Sequence, residues 1–219
     1  MNIRISVSRF DPDTDSRPKW VDYEVPTVER MTVLQALMHV YENLDPTLAF
    51  RFGCRFGKCG LCAVEVNGRP RMGCSTQVRD GMKIGPLSRL PVLRDLAVDR
   101  ALFFEGLRKL ELFVPEPEER SAPAKVREPE SRAKLLLCVE CLGCQATCPA
   151  SDGSGPASPF AGPYAFVKLA QLHLDPRNRI DRRRQAQDLG IAECLKCRKC
   201  RCINGIDIQG LALAMLAGE

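Results

Sequence analysis

Twelve cysteines, drawn into three tight groups of four, constrain this 219-residue chain more than any other feature. The first group is Cys54, Cys59, Cys62 and Cys74, spaced C-x4-C-x2-C-x11-C. The second is Cys138, Cys141, Cys144 and Cys148, spaced C-x2-C-x2-C-x3-C and followed by Pro149. The third is Cys194, Cys197, Cys200 and Cys202. None is left over, so the chain must close its backbone three times around something that takes four thiols.

The first spacing is that of a plant-type [2Fe–2S] loop, and the second is a bacterial-type ferredoxin run. Disulfides are the rival for dense cysteines, but they serve mainly chains too small for a proper core, in oxidising compartments. Here 45% of residues are hydrophobic, enough for ordinary cores in two domains. The start, Met1 to Phe10, alternates Ile3, Ile5 and Val7 with polar residues and does not read as a secretory signal. Structural zinc could use the third group taken alone. The C-x4-C-x2-C loop and Cys148-Pro149 fit iron–sulfur chemistry better. In FGCRFGKCG, residues 52–60, Gly53, Gly57 and Gly60 allow the tight backbone wrapping that a cluster needs.

A net charge of +5 with interspersed signs gives no nucleic-acid stripe. The run Arg182, Arg183, Arg184 reads as a solvated helix face. His39 and His173 read as exposed side chains. No apolar run reaches the roughly 20 residues that span a bilayer. The expectation is a cytoplasmic chain, soluble or held peripherally on a membrane by a partner.

The pattern predicts an α+β chain. Residues 1–100 read as a β-grasp [2Fe–2S] ferredoxin domain. Residues 2–9 and 20–25 alternate as strands. Thr32 caps a helix carrying Val33, Leu34, Leu37, Val40, Tyr41 and Leu44. Ala63–Val66 is a strand turned by Asn67-Gly68, and Lys83-Ile84 begins the last strand. Residues 92–113 read as helix. Residues 101–130 comprise the end of that helix and a Pro/Glu/Arg-rich linker. Residues 131–219 read as an all-α ferredoxin domain with two cubane-type clusters, with helices at 164–174 and 208–216 and a loop over 150–163.

The chain resembles the iron–sulfur subunit of succinate dehydrogenase and fumarate reductase, nearly end to end. The resemblance rests on YEVP at 23–26, MTVLQAL at 31–37, DPTLAFRFGCRFGKCGLCAVEVNGRPRMGC at 45–74 and PVLRDLAVD at 91–99. It continues through Cys138–Pro149 and AGPYAFVKLAQLHLDPRNR at 161–179. It implies a three-cluster relay between a flavoprotein subunit and a second redox partner, often a quinone-binding membrane anchor. It also implies [2Fe–2S] on Cys54, Cys59, Cys62 and Cys74.

The C-terminal half departs from the family pattern. The family's last motif lacks its middle cysteine and holds [3Fe–4S]; here Cys197 fills that place. Cys202 follows Cys200 after one residue, and Ile203 stands where proline is usual; Asn204 sits at the unshortened spacing. Asp152, Gly153 and Leu195 occupy places where quinone-reducing members carry tryptophans and a histidine.

In two-cluster folds the fourth cysteine of one motif serves the other cluster. The expected sets are therefore Cys138, Cys141, Cys144 with Cys202 on one [4Fe–4S], and Cys194, Cys197, Cys200 with Cys148 on a second. Sequential ligation, and [3Fe–4S] beside a spare Cys197, stay open. So does a related complex with a heterodisulfide-reductase-like or thiol-linked partner, or a flavoprotein acting on another substrate. A zinc-stabilised interaction module is the reading from another class. No catalytic constellation is legible, so flavin and substrate chemistry are expected on a partner.

Overall fold

The computed structural model describes residues 2–115, 127–153, 159–197 and 199–218. By packing, the chain forms two compact units, Met1–Arg100 with Val139–Thr147, and Ala101–Cys138 with Cys148–Glu219. The segment 139–147, assigned from sequence to the second domain, thus packs with the first unit.

The first unit is built on β1 (Asn2–Arg9), β2 (Lys19–Pro26), β3 (Ala63–Val66), β4 (Arg69–Met72) and β5 (Met82–Gly85). They form one sheet in the order β2-β1-β5-β3-β4. Only the β1–β5 pair is parallel, with Ile5 opposite Met82 and Val7 opposite Ile84. Alternation puts Ile5, Val7, Tyr23 and Val25 on one face. Against them lies α1 (Val33–His39), which continues as a π-helical turn over Val40–Leu44. Val33, Ala36, Leu37 and Val40 close the core with Val64, Val66 and Ile84. This is a β-grasp.

Local chemistry fixes the ends of these elements. The Thr32 hydroxyl accepts from the Gln35 N–H at 3.2 Å, and the Gln35 side chain accepts from the Thr32 N–H at 2.8 Å. That reciprocal cap is worth about 1 kcal/mol. Asn67 and Gly68, with φ of 50° and 72°, turn β3 into β4 as expected. Tyr41 and Leu44 differ from their assigned role: both are exposed, because the backbone loosens into the π turn.

Residues 92–98 overturn the helical reading. They form a hairpin of β6 (Val92–Arg94) and β7 (Ala97–Val98), and α2 begins only at Ala101 and ends at Arg108. The cause is Asp95, which sits at φ 47° with its carboxylate buried. It accepts from Arg9 Nε at 2.9 Å, the Phe10 N–H at 2.8 Å and the Ala49 N–H at 2.8 Å. These long-range bonds outweigh the helical spacing of Leu93, Leu96 and Val98. The first unit ends with the short α4 (Gly143–Ala146), which packs near β4.

The second unit is helical: α2, α3 (Glu130–Leu135), α5 (Gly162–His173), α6 (Arg182–Asp188), α7 (Ala192–Cys197), a π turn over Gln209–Ala214 and α8 (Met215–Ala217). Tyr164, Phe166, Leu169, Leu213 and Leu216 are its buried centre. Arg182 corrects the solvated-face reading, being 0% exposed. Its guanidinium donates to the carbonyls of Glu111 at 2.9 Å and Phe113 at 2.8 Å, and to Gln185 Oε1 at 3.0 Å. His173 is partly buried, and that burial lowers its pKa, with Arg183 adding to the effect. The centre of the linker, 116–126, and part of the 150–163 loop, 154–158, lie outside the described residues.

Candidate metal centres

The loop carrying Cys54, Cys59 and Cys62 has no regular structure and turns through three positive φ angles, Arg55 at 65°, Gly57 at 78° and Gly60 at 71°. Its backbone points inward: the Lys58 N–H donates to Cys54 Sγ at 3.2 Å, and the Cys54 N–H to Cys59 Sγ at 3.4 Å. Donation from the Phe56 N–H, reinforced by Lys58, lowers the Cys54 thiol to about 7. The fourth ligand candidate arrives through a hairpin. Ala63 pairs with Met72, and the Gly73 N–H bonds to the Cys62 carbonyl at 2.9 Å, so Cys74 returns beside Cys62. Burial pushes the Cys62 thiol up to about 12, with Cys74 and Cys59 adding repulsion.

The second motif is divided. Cys141 and Cys144 belong to the first unit, Cys138 and Cys148 to the second. Cys144 stands on α4, and Cys148 follows that helix and is buried. Cys141 lies between Glu140 and Leu142, which adopt φ of 56° and 61°.

The third motif starts on α7 with Cys194 and Cys197. Burial raises the Cys194 thiol foremost, and the charges it feels next are those of Cys200, Cys148 and Cys197. Burial likewise pushes Cys200 up to about 12, followed by Cys148 and Cys197. Cys194 and Cys200 thus each feel the charges of Cys148 and Cys197. Cys202 is tied to the approach of the second motif through Asn204. Its Sγ accepts from the Asn204 N–H at 3.3 Å, while Asn204 Nδ2 donates to the Leu137 carbonyl at 2.9 Å, one residue before Cys138.

This donor set fits iron–sulfur groups. None of the twelve cysteines is in a disulfide. Among the described residues, no three His, Cys, Asp or Glu side chains converge at the distances of a single ion. Iron, when bound, would supply the positive charge that thiolates buried in this way require. N–H groups aimed at sulfur are the usual accompaniment of cluster ligation.

The surrounding cations take ordinary positions. Arg51 is exposed, and the Arg55 guanidinium lies 5.3 Å from the Phe52 ring centre. Lys196 pairs with Glu193 at 3.4 Å, Lys199 and Arg201 are exposed, and Arg198 lies outside the described residues. Sequence reading missed Arg100, Glu140 and Leu142, which shape the second motif. No periodicity or motif marks them, because left-handed backbone at non-glycine residues has no sequence signature.

Comparison with known proteins agrees with this geometry. A family model described as "2Fe-2S iron-sulfur cluster binding domain" matches residues 4–105. A fumarate reductase (CoM/CoB) subunit of Methanothermobacter marburgensis is 33% identical over 216 residues, covering 98% of this chain and 43% of that protein. The chain thus spans less than half the length of that relative. "Fumarate reductase iron-sulfur subunit" of Mycobacterium tuberculosis is 32% identical over 228 residues, covering 95% of this chain and 89% of that one. A chain in the solved structure "Mycobacterium smegmatis Sdh1 complex in the apo form" superposes with a TM-score of 0.85 at 29% identity, covering 98% of this chain and 93% of its own.

Proposed function

Because this chain belongs to the family of iron–sulfur subunits of fumarate reductases and succinate dehydrogenases, we propose that it relays electrons between a flavoprotein subunit and a second redox partner. The clusters, when bound, supply the one-electron carriers; the chain holds them and sets their surroundings. Cys54, Cys59, Cys62 and Cys74 would hold [2Fe–2S]. Cys138, Cys141, Cys144 and Cys202 would hold a [4Fe–4S], and Cys148, Cys194, Cys197 and Cys200 a second. The observation that supports the reading is that Cys194 and Cys200 each feel the charge of Cys148. Crossed ligation requires it, and sequential ligation would take Cys148 elsewhere.

Cys197 is what separates a cube from the family's three-iron cluster, since it offers a thiolate to a fourth corner. Three exposed cations on the first loop, Arg51, Arg55 and Lys58, together with the 72%-exposed Phe56, suit a flavoprotein surface with acidic groups. Among the described residues no helix is long and apolar enough to cross a membrane. Contact with a cytoplasmic membrane would run through a partner such as a quinone-binding anchor. The alternative of a heterodisulfide-reductase-like or thiol-linked partner is not favoured, since the relative matched over 89% of its own length is a fumarate reductase iron–sulfur subunit.

Anaerobic purification with iron counting and paramagnetic resonance tests the proposal. About ten irons per chain, with one [2Fe–2S] signal and two cubane signals, is the expected result. A colourless protein would end the relay reading. An intrinsic [3Fe–4S] signal in never-oxidised protein would remove Cys197 from the ligand set.

A further inference from the structure

The backbone around Cys141 is held in a form it would not choose. Glu140 and Leu142, its two neighbours, both lie in the left-handed region, at φ of 56° and 61°. Non-glycine residues avoid that region because Cβ approaches the following carbonyl. Such a pair persists only where its surroundings over-determine it. Two features of the first unit do so. The guanidinium of Arg100, only 9% exposed, donates through Nη2 to the Glu140 carbonyl. Gly60, in the first cysteine loop, lies flush against the same run: a Cβ there would come 2.1 Å from the Val139 carbonyl oxygen and 2.9 Å from the Cys141 nitrogen. Leu142 is buried with 1% exposure, closing the turn from its other side.

We propose that Arg100 is a positioning residue that clamps the Glu140–Leu142 turn and so presets the Cys141 thiolate for the second cluster. The clamp acts on a backbone carbonyl, so it is independent of the side chain at 140. What it opposes is the conformational preference of that residue. Relieving the preference should make the clamp dispensable. This rests on Cys141 being a ligand of that cluster.

The test is the rate at which a chelator strips each cluster from the anaerobically purified full chain, followed by paramagnetic resonance. Arg100→Ala should speed loss of the second cluster roughly tenfold, with the [2Fe–2S] rate unchanged. Adding Glu140→Gly should return the rate to within about twofold of the parent, because glycine adopts left-handed backbone freely. Adding Glu140→Ala, which removes the same carboxylate but keeps the Cβ, should not. An unchanged rate in Arg100→Ala, equal acceleration of both clusters, or equal rescue by Gly and Ala each overturns the clamp. Should Arg100→Ala not accumulate as folded protein, Arg100→Gln enters the same comparison with the same criteria. Cys141→Ala separates the two readings. Loss of the second signal in it with a parent-like Arg100→Ala sinks the clamp alone; survival of the signal sinks the ligand assignment and the clamp with it.

Discussion

Arg9 Nε donates to Asp95 Oδ1 at 2.9 Å, joining the end of β1 to the β6–β7 turn across 86 positions of sequence. Both side chains are buried, at 11% and 2% exposure. The rest of the guanidinium is spoken for: it donates to the Tyr23 hydroxyl at 2.6 Å, to Thr47 Oγ1 at 2.9 Å and to the Asp45 carboxylate. Burial alone would lower the Arg9 pKa, but the bonds to Asp95, Tyr23 and Asp45 raise it, so this cation does not titrate.

Removing Asp95 takes away one of that cation's two carboxylates and leaves the Phe10 and Ala49 N–H groups without an acceptor. Asp95→Ala should destabilise the protein by about 3–5 kcal/mol, read as a lower urea midpoint. The double variant Arg9→Met, Asp95→Leu should recover part of the loss, since no guanidinium is left short of a buried partner and the partly exposed Asp45 keeps its bonds from Tyr23 and Thr47. Equal midpoints for Asp95→Ala and the parent would show the network to be dispensable.

Asp175 gives the second unit an acid-sensitive brace. Hydrogen bonds from Arg177 foremost, with the charge of Arg132 at 2.9 Å, hold its pKa at about 2 against an ordinary 3.8. A depressed carboxylate pKa stabilises the fold above the unfolded value and loses that stabilisation as pH falls through the folded one. The difference in melting temperature between the parent and Asp175→Asn should therefore be full above about pH 4 and shrink steadily towards pH 2. A gap constant over that range would rule the brace out.

Cys197→Ala should convert the third cluster to [3Fe–4S]. The iron content should fall by about one per chain, and an intrinsic three-iron signal should appear in protein that has never met oxygen. The other two signals should be unaffected.

Asn204 stitches the shortened end of the third motif to the approach of the second. Asn204→Ala removes the 2.9 Å bond to the Leu137 carbonyl but keeps the backbone N–H that serves Cys202. The expected cost is about 1 kcal/mol, seen as faster chelator release of the second cluster and unchanged release of the third. Faster release of the third instead would place Cys202 on the other cube.

Sequence legibility followed the range of the interactions. Thr32 with Gln35, and Asn67 with Gly68, act on their own neighbours, so the cap and the hairpin could be read directly. The β-grasp class followed from alternation. Leu93, Leu96 and Val98 misled because what decides their backbone is Asp95 bonding to Arg9 and Ala49, far away in the chain. Arg182 misled similarly: a run of three arginines says surface, and only the carbonyls of Glu111 and Phe113 say otherwise. The expectation that Cys148 joins Cys194, Cys197 and Cys200 comes from the behaviour of two-cluster folds, not from any local pattern. Asn204, at the unshortened spacing, donates its N–H to Cys202, a bond no sequence pattern marks.

The β-grasp unit is finished by residues that the ribosome delivers late. Val139–Thr147 packs with Met1–Arg100 after an excursion of 38 residues through the other unit. There Gly60 meets Val139 and Cys141, and Ser88 Oγ donates to the Ala146 carbonyl at 3.1 Å. A fragment ended at Arg100 therefore exposes to water a surface shaped to be covered. Its first loop would sit in a more polar, less confined setting than in the intact chain. Any property measured on such a fragment, from oxygen tolerance to midpoint potential, belongs to the fragment; cutting this protein at its linear domain boundary cuts through a packed surface.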